Sequence, residues 1–308
     1  MDKPMDVLRL FPVRKSGKQK AQFREAVLTY AEGMGYRARV EAGSFGAKNV
    51  VIGDPEKAEY LITAHYDTCA VLPFPNLITP CSFLLFVGWQ LLLVMLLCLP
   101  AGILGGFLAH AAGMPSMAAF VAYLLLLLEV AWMLVGPANR HNANDNTSGV
   151  VAVLETARGL PQELRDRVCF VLFDLEEAGL LGSASYRKAH RTATERQLIL
   201  NLDCVGEGNE LLLFPTQKLK KQEERLAFVG ACCVERNDKS VRLRDKGFAI
   251  YPSDQSNFPY GIGIAAFCRS KWAGLYLAKI HTSKDTNLDE NNVAILRDYL
   301  IDLIRAQA

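Results

Sequence analysis

The sequence predicts an α/β protein: a three-layer α/β/α body around a mostly parallel central sheet, with a hydrophobic two-helix hairpin inserted into it. Three observations carry this reading. Short, continuously apolar runs recur between amphipathic stretches, the pattern of strands covered on both faces by helices. Ionisable residues collect at the C-terminal ends of those runs, where such sheets keep their sites. Between Thr68 and Leu128 the chain carries no Asp, Glu, Lys or Arg.

In order along the chain, "KQKAQFREAVLTYAEGMGY" (18–36) has helical apolar spacing and ends at glycine. The predicted strands are "NVVIG", "YLITAHYD", "VCFVLFDLE", "LILNLDCVG", "ELLLFP" and "GIAAFCRS". Helices are predicted over 147–159, 182–189, 218–236 and 290–305. Two apolar runs, 82–99 and 117–135, the second reaching past the uncharged stretch, are joined by the Gly- and Pro-rich "PAGILGGFLAHAAGMPS". At about 1.5 Å per residue each run spans close to the roughly 30 Å of a bilayer core. A transmembrane hairpin over 78–137 is therefore expected, splitting one domain into 1–77 and 138–308. A pair of helices buried in a soluble core is the alternative. Two spans return the chain to the side it left. Lys and Arg are abundant in the flanking domain and missing from the connector, so that domain is expected on the cytoplasmic side. Glu129, inside the second run, is read as lying near a helix end or pairing with Gln90; a transport role would need several chains.

The bulk numbers exclude some classes. A formal charge of +2 over 308 residues leaves no basic surface for nucleic acid. The eight Cys show no paired spacing, which argues for reduced thiols rather than a disulfide framework. The N-terminal segment has no apolar h-region, so no cleavable signal is expected there.

His65 and Asp67 end one predicted strand, Asp174, Glu176 and Glu177 another, and Asp203 a third. Asp145 sits in the polar turn "NANDNTSG", and His281 follows "YLAKI". Singly, an Asp before a helix is a cap, a Glu pair is a solvated helix start and a lone His is structural. Together, so many carboxylates on one rim would repel one another and raise each other's pKa. A bound dication resolves that repulsion.

The motifs "AHYDT", "NANDNTSGVVAVLE", "FVLFDLEEAGLLGS", "LNLDCVG", "SDQSNF" and "IHTSKDT" resemble, in order, those of the M28 zinc peptidases, whose best-known members are di-zinc aminopeptidases. The resemblance runs from about Gln19 to the end of the chain. It implies two Zn²⁺ per chain: His65 and Asp203 on one, Glu177 and His281 on the other, and Asp145 bridging both. It implies Glu176 as general base, Asp67 as the acceptor that orients the His65 ring, and Asp285 in a similar role for His281. The implied chemistry is hydrolysis of N-terminal residues from short peptides by metal-activated water. Glutaminyl cyclase, a single-zinc acyltransferase on a similar fold, is the alternative enzyme; a non-catalytic receptor or scaffold is the other.

Two departures stand out. Gln255 occupies the place of a His in many relatives, near the expected substrate pocket, which would draw on 248–260, with Gln255, Phe258 and Tyr251 as binding residues, and on 271–276. About eighty residues separate His65 from Asp145, where the family has a short loop. The membrane segment is thus inserted between two expected metal ligands. Simple anchoring, or a membrane-proximal or lipid-conjugated substrate, would explain it. His141 is an extra imidazole, read as structural or substrate-side.

Overall fold

A computed structural model describes residues 1–72, 74, 76–236 and 238–307. The strands are β1 (Ala38–Ala42), β2 (Lys48–Ile52), β3 (Tyr60–His65), β4 (Val168–Phe173), β5 (Leu198–Leu202), β6 (Glu210–Pro215), β7 (Glu235–Arg236), β8 (Lys239–Leu243), β9 (Gly261–Ser270) and β10 (Gly274–Tyr276). The helices are α1 (Asp6–Leu10), α2 (Gly17–Gly33), α3 (Phe83–Ala111), α4 (Ala118–Val135), α5 (Gly149–Gly159), α6 (Leu181–Ala189), α7 (Arg191–Thr194), α8 (Glu223–Ala231) and α9 (Glu290–Arg305).

The strands form one ten-stranded sheet in the order β1-β2-β4-β3-β5-β9-β6-β8-β7, with β10 on β9. The central block β4-β3-β5-β9 is parallel. The flanks are mixed: β1, β2, β6, β7 and β10 each make antiparallel pairs. The parallel character predicted from the apolar runs is thus that of the centre. There every residue of β3, β4 and β5 is buried, as expected for strands covered on both sides.

Alternation along these strands builds the two cores. Ile62, Phe170 and Leu200 face the layer made by α2, α5 and α9. Leu61, Val171 and Ile199 face the opposite layer, with Tyr186 of α6 and Phe258. The helix α2 starts at a capping box, Ser16 with Gln19. The helix predicted over 218–236 is interrupted; a 3₁₀ turn at Leu219–Lys221 precedes α8, and the chain then returns as β7.

The insertion is an antiparallel pair, α3 and α4. The first helix does not end near Leu99 as predicted: it continues through Pro100 to Ala111. Proline removes a single N–H from the helix, and opening the helix there would strand more backbone groups than that. Ala101, Gly105 and Ala109, four residues apart, are the buried residues of α3, and α4 has none. A Cβ at Gly105 would stand 2.6 Å from the Ala122 nitrogen, so this small-residue seam sets how closely the helices approach. Both helices are long and apolar enough to cross a membrane. At the neck Val71 N–H donates to the Pro137 carbonyl and Asn139 N–H to that of Cys69.

Candidate metal and catalytic site

Three strands of the parallel block, β3, β4 and β5, and the loops above them deliver the groups of the rim. His65 is the last residue of β3, and Asp203 follows β5 directly. Glu176 and Glu177 follow β4 in a turn opened by Leu175, whose φ of 56° lies in the left-handed region. Cys204 (φ 58°) and His281 (φ 61°) are also left-handed. Non-glycine residues held in this way cost about 1–3 kcal/mol each and cluster at functional sites.

Asp145 is held by its neighbours rather than by a regular element. The Asn146 carboxamide oxygen accepts from Gly149 N–H (3.0 Å) and Cys204 N–H (3.2 Å), and its nitrogen donates to the Leu202 carbonyl (2.9 Å). Asn144 Oδ1 accepts from Gly206 N–H at 2.6 Å. These bonds tie the turn to the end of β5 and so set Asp145 against Asp203. Gly149 is required in this arrangement: a Cβ there would fall 2.3 Å from Asn146 Oδ1 and 2.4 Å from the Leu202 carbonyl oxygen.

The result is a chain of donors with Asp145 at its centre. Asp145 Oδ1 lies 3.2 Å from His65 Nε2, and Asp145 Oδ2 lies 2.8 Å from His281 Nε2. Asp203 Oδ1 is 3.6 Å from His65 Nε2, and Glu177 Oε2 is 3.3 Å from His281 Nε2. Glu176 Oε2 stands 3.9 Å from His65 Nε2.

The electrostatics follow from burial. Burial raises Glu176 well above the usual carboxylate range and Glu177 up to about 7. Burial opposes protonation of His281, but Glu177 and Asp145 outweigh it and push the imidazole up to about 10. His65 is pushed well up in the same way by Glu176, Asp145 and Asp203. Asp145 is lowered, burial being overcome by the two imidazoles. The imidazoles thus act as the cations of an acid-rich site, a role a dication fills better. Glu177 Oε1 and Asp203 Oδ1 are buried without a hydrogen-bond partner. Two orphaned carboxylate oxygens beside imidazole nitrogens form a donor set that suits zinc.

Several expected supporting roles are filled differently. Asp67 Oδ1 is 3.7 Å from His65 Nδ1, beyond hydrogen-bond reach; that nitrogen sits 3.2 Å from the Asp67 backbone carbonyl instead. The Asp67 carboxylate accepts from the N–H groups of Glu176 (3.0 Å) and Glu177 (3.2 Å) and thereby fixes the turn carrying both. Asp285 accepts from Asn144 N–H (2.7 Å) and Asp145 N–H (3.0 Å), so it braces Asp145 rather than His281. Asp174 points away from the rim, to Lys20 Nζ at 2.6 Å.

Of the three expected substrate residues Tyr251 reaches the site, with Pro252 of the same segment beside it. It lines a cavity of about 350 Å³ that also holds His65, Asp145, Glu176, Asp203 and His281. Gln255 is buried, its nitrogen donating to the Tyr251 carbonyl and its oxygen accepting from Asn201; its amide is already used. Phe258 stacks on Phe173 in the core. The 271–276 segment is absent from the cavity wall, and Ile78 and Ile280 are there instead. His141 is exposed and lies apart from the rim.

Residues the sequence reading passed over also converge here. Arg14 is fully buried; its side chain donates to the Tyr66 carbonyl (2.6 Å) and to Thr147 Oγ1 (3.1 Å), joining β3's end to the Asp145 turn. Asp254 is buried with one oxygen unpartnered and is raised to about 7 by burial. Cys69 lies within ligand distance of Glu177 and His281. A basic residue in a polar N-terminal segment gives no sequence signal of such burial.

The model of peptidase family M28 matches residues 129–302, more than half of the chain. The match begins beyond His65, on the far side of most of the hairpin. No curated protein matches the sequence. Among solved structures, Porphyromonas gingivalis glutaminyl cyclase is similar with a TM-score of 0.62 and 16% identity, over 99% of this chain and 97% of that one. The Legionella pneumophila LapA aminopeptidase gives 0.61 and 13%, over 99% and 71%. A Zn-dependent exopeptidase from Parabacteroides distasonis gives 0.55 and 16%, over 96% and 92%. At these identities the likeness speaks for the fold, and with the family match it leads to one conclusion: the chain belongs to peptidase family M28.

Proposed function

We propose that the chain is a membrane-anchored, zinc-dependent exopeptidase that removes N-terminal residues from short peptides. The observation that carries this reading is Asp145, whose two carboxylate oxygens lie one against each of two imidazoles. Two Zn²⁺ would be held by His65, Asp145 and Asp203 and by Asp145, Glu177 and His281. Bound there, zinc would polarise the scissile carbonyl and acidify a water. Glu176, raised by burial and held by Asp67 through its backbone, would serve as the general base, taking a proton from the attacking water and returning it to the leaving amine nitrogen. The membrane reading rests on α3 and α4, whose large apolar side chains are mostly exposed. They would cross the bilayer as an antiparallel pair, with the catalytic body on the cytoplasmic side.

A second reading, a glutaminyl-cyclase-like acyltransferase, is favoured by one observation: the similarity to the P. gingivalis cyclase spans 97% of that chain, against 71% of LapA. Detergent-purified full chain incubated with aminoacyl fluorogenic substrates and with peptides bearing N-terminal Gln separates the two. Release of fluorophore without cyclisation is expected. Cyclisation without hydrolysis would replace the peptidase reading with the cyclase one.

A further inference from the structure

The cavity above the rim is not closed by the catalytic body alone. Phe86 and Gln90 of α3 line it, beside Ile78, Tyr251 and Ile280. The register of the hairpin shows why α3 can do this. Gly105 packs on Ala122. Counting thirteen residues from that contact along two antiparallel helices brings Val135, the end of α4, level with about Leu92. The α3 residues before Leu92 therefore have no α4 companion. The 29 residues of α3 measure roughly 43 Å against about 30 Å of hydrocarbon, so this overhang fits outside the bilayer core.

The overhang is pinned to the catalytic body. The Phe248 ring lies 5.3 Å from that of Phe83 and 6.3 Å from that of Phe86. Ile78 and Leu277 exchange backbone hydrogen bonds at 2.8 and 2.9 Å, and Ile250 N–H donates to the Pro80 carbonyl at 3.0 Å. The place of Phe86 over the site is thus set by a ring contact and three backbone bonds on both sides of the helix start.

We propose that Phe86 and Gln90 are specificity-determining residues: the first membrane helix supplies the wall of the substrate site. Phe86, with Ile78, Tyr251 and Ile280, forms an apolar cup for a large apolar side chain next to the scissile bond. Gln90, a carboxamide among the apolar residues of the first half of α3, offers both a donor and an acceptor to the peptide backbone. The substrates are short peptides with a large apolar terminal residue. This inference rests on the peptidase reading above.

The test uses the full chain in nanodiscs. One readout is kcat/KM for leucyl and glycyl fluorogenic substrates. The other, independent of turnover, is the calorimetric Kd of leucine hydroxamate and glycine hydroxamate. Wild type is expected to favour leucine in both. Phe86→Ala is expected to cut that preference by about 10- to 100-fold, the range for a lost apolar pocket contact. Phe86→Trp, which narrows the cup, is expected to shift preference toward glycine, and Gln90→Ala to weaken both hydroxamates alike. If wild type hydrolyses and binds but none of the three variants moves these values, the hairpin is an anchor only and the inference is overturned. If wild type neither hydrolyses peptides nor binds a hydroxamate, the peptidase reading falls and takes this one with it.

Discussion

The catalytic body and the hairpin bury opposite things. In the body the large apolar side chains are inside, and Asp67, Asp145 and Asp203 are buried as well, each against an imidazole or a backbone N–H. In residues 83–135 the pattern is inverted: Phe107, Leu128 and Val135 are more than 60% exposed, and only small residues are covered. Exposed apolar area on this scale is unfavourable in water by about 25 cal/mol per Å², so it calls for cover by something other than water. The comparison teaches that the two regions present opposite surfaces, and on the proposed membrane reading the candidate site lies where they meet.

The largest effect should come from the centre of the rim. Asp145→Ala removes the oxygens that face both imidazoles. It is expected to abolish metal binding and lower hydrolysis more than about 10⁴-fold, since polarisation and water activation go together; metal analysis and a rate assay check this. Glu176→Gln should lower the rate roughly 10²- to 10⁴-fold with metal content unchanged. If the two variants behaved alike in metal content, Glu176 would be a ligand rather than a base. Asp174, an acid of the same strand end, should act on stability instead. It accepts from Lys20, from Lys48 N–H and from Leu175 N–H. Asp174→Ala leaves Lys20 buried and unpaired and is expected to cost about 3–5 kcal/mol, read from the unfolding midpoint, with metal still bound.

The smallest effect lies far from the rim. The two ring nitrogens of His190 donate to Glu41 (2.8 Å) and Glu56 (2.7 Å), and hydrogen bonding to Glu41 raises its pKa above 6.5 against the effect of burial. A raised histidine stabilises the fold fully below its unfolded pKa of about 6.5 and loses that contribution as pH climbs through its folded value. His190→Gln should therefore destabilise the body at pH 6 by less than about 1 kcal/mol, with partial solvent screening, and by less still at higher pH. A difference that grows with pH would contradict the assignment.

The rim was largely legible in the sequence. Five ligand-type residues stand at strand ends and polar turns, and a strand's end has one place in a parallel sheet. What was not legible depends on contacts made across the chain. Whether Asp67 holds the His65 ring or the Glu176 turn is decided by a few tenths of an ångström. Gln255 and Phe258 lie in a motif that resembles a substrate loop, but Asn201 and Phe173, distant in sequence, draw them into the core. The flanking strands β1 and β8 carry alternating or charged residues that look like loop in isolation. In the hairpin, Pro100 and the glycines around it resemble a turn, yet α3 runs through them to Ala111. The overhang of α3 over the cavity follows from the register of one glycine, which no local pattern encodes.

The central claim is a two-metal rim carried at a membrane surface. It is tested most directly by elemental metal analysis of the full chain purified in detergent, wild type beside Asp145→Ala. The account predicts about two zinc ions per wild-type chain and none in the variant. Two zinc ions retained by Asp145→Ala, or peptide hydrolysis by a wild-type chain that holds no metal, would contradict it.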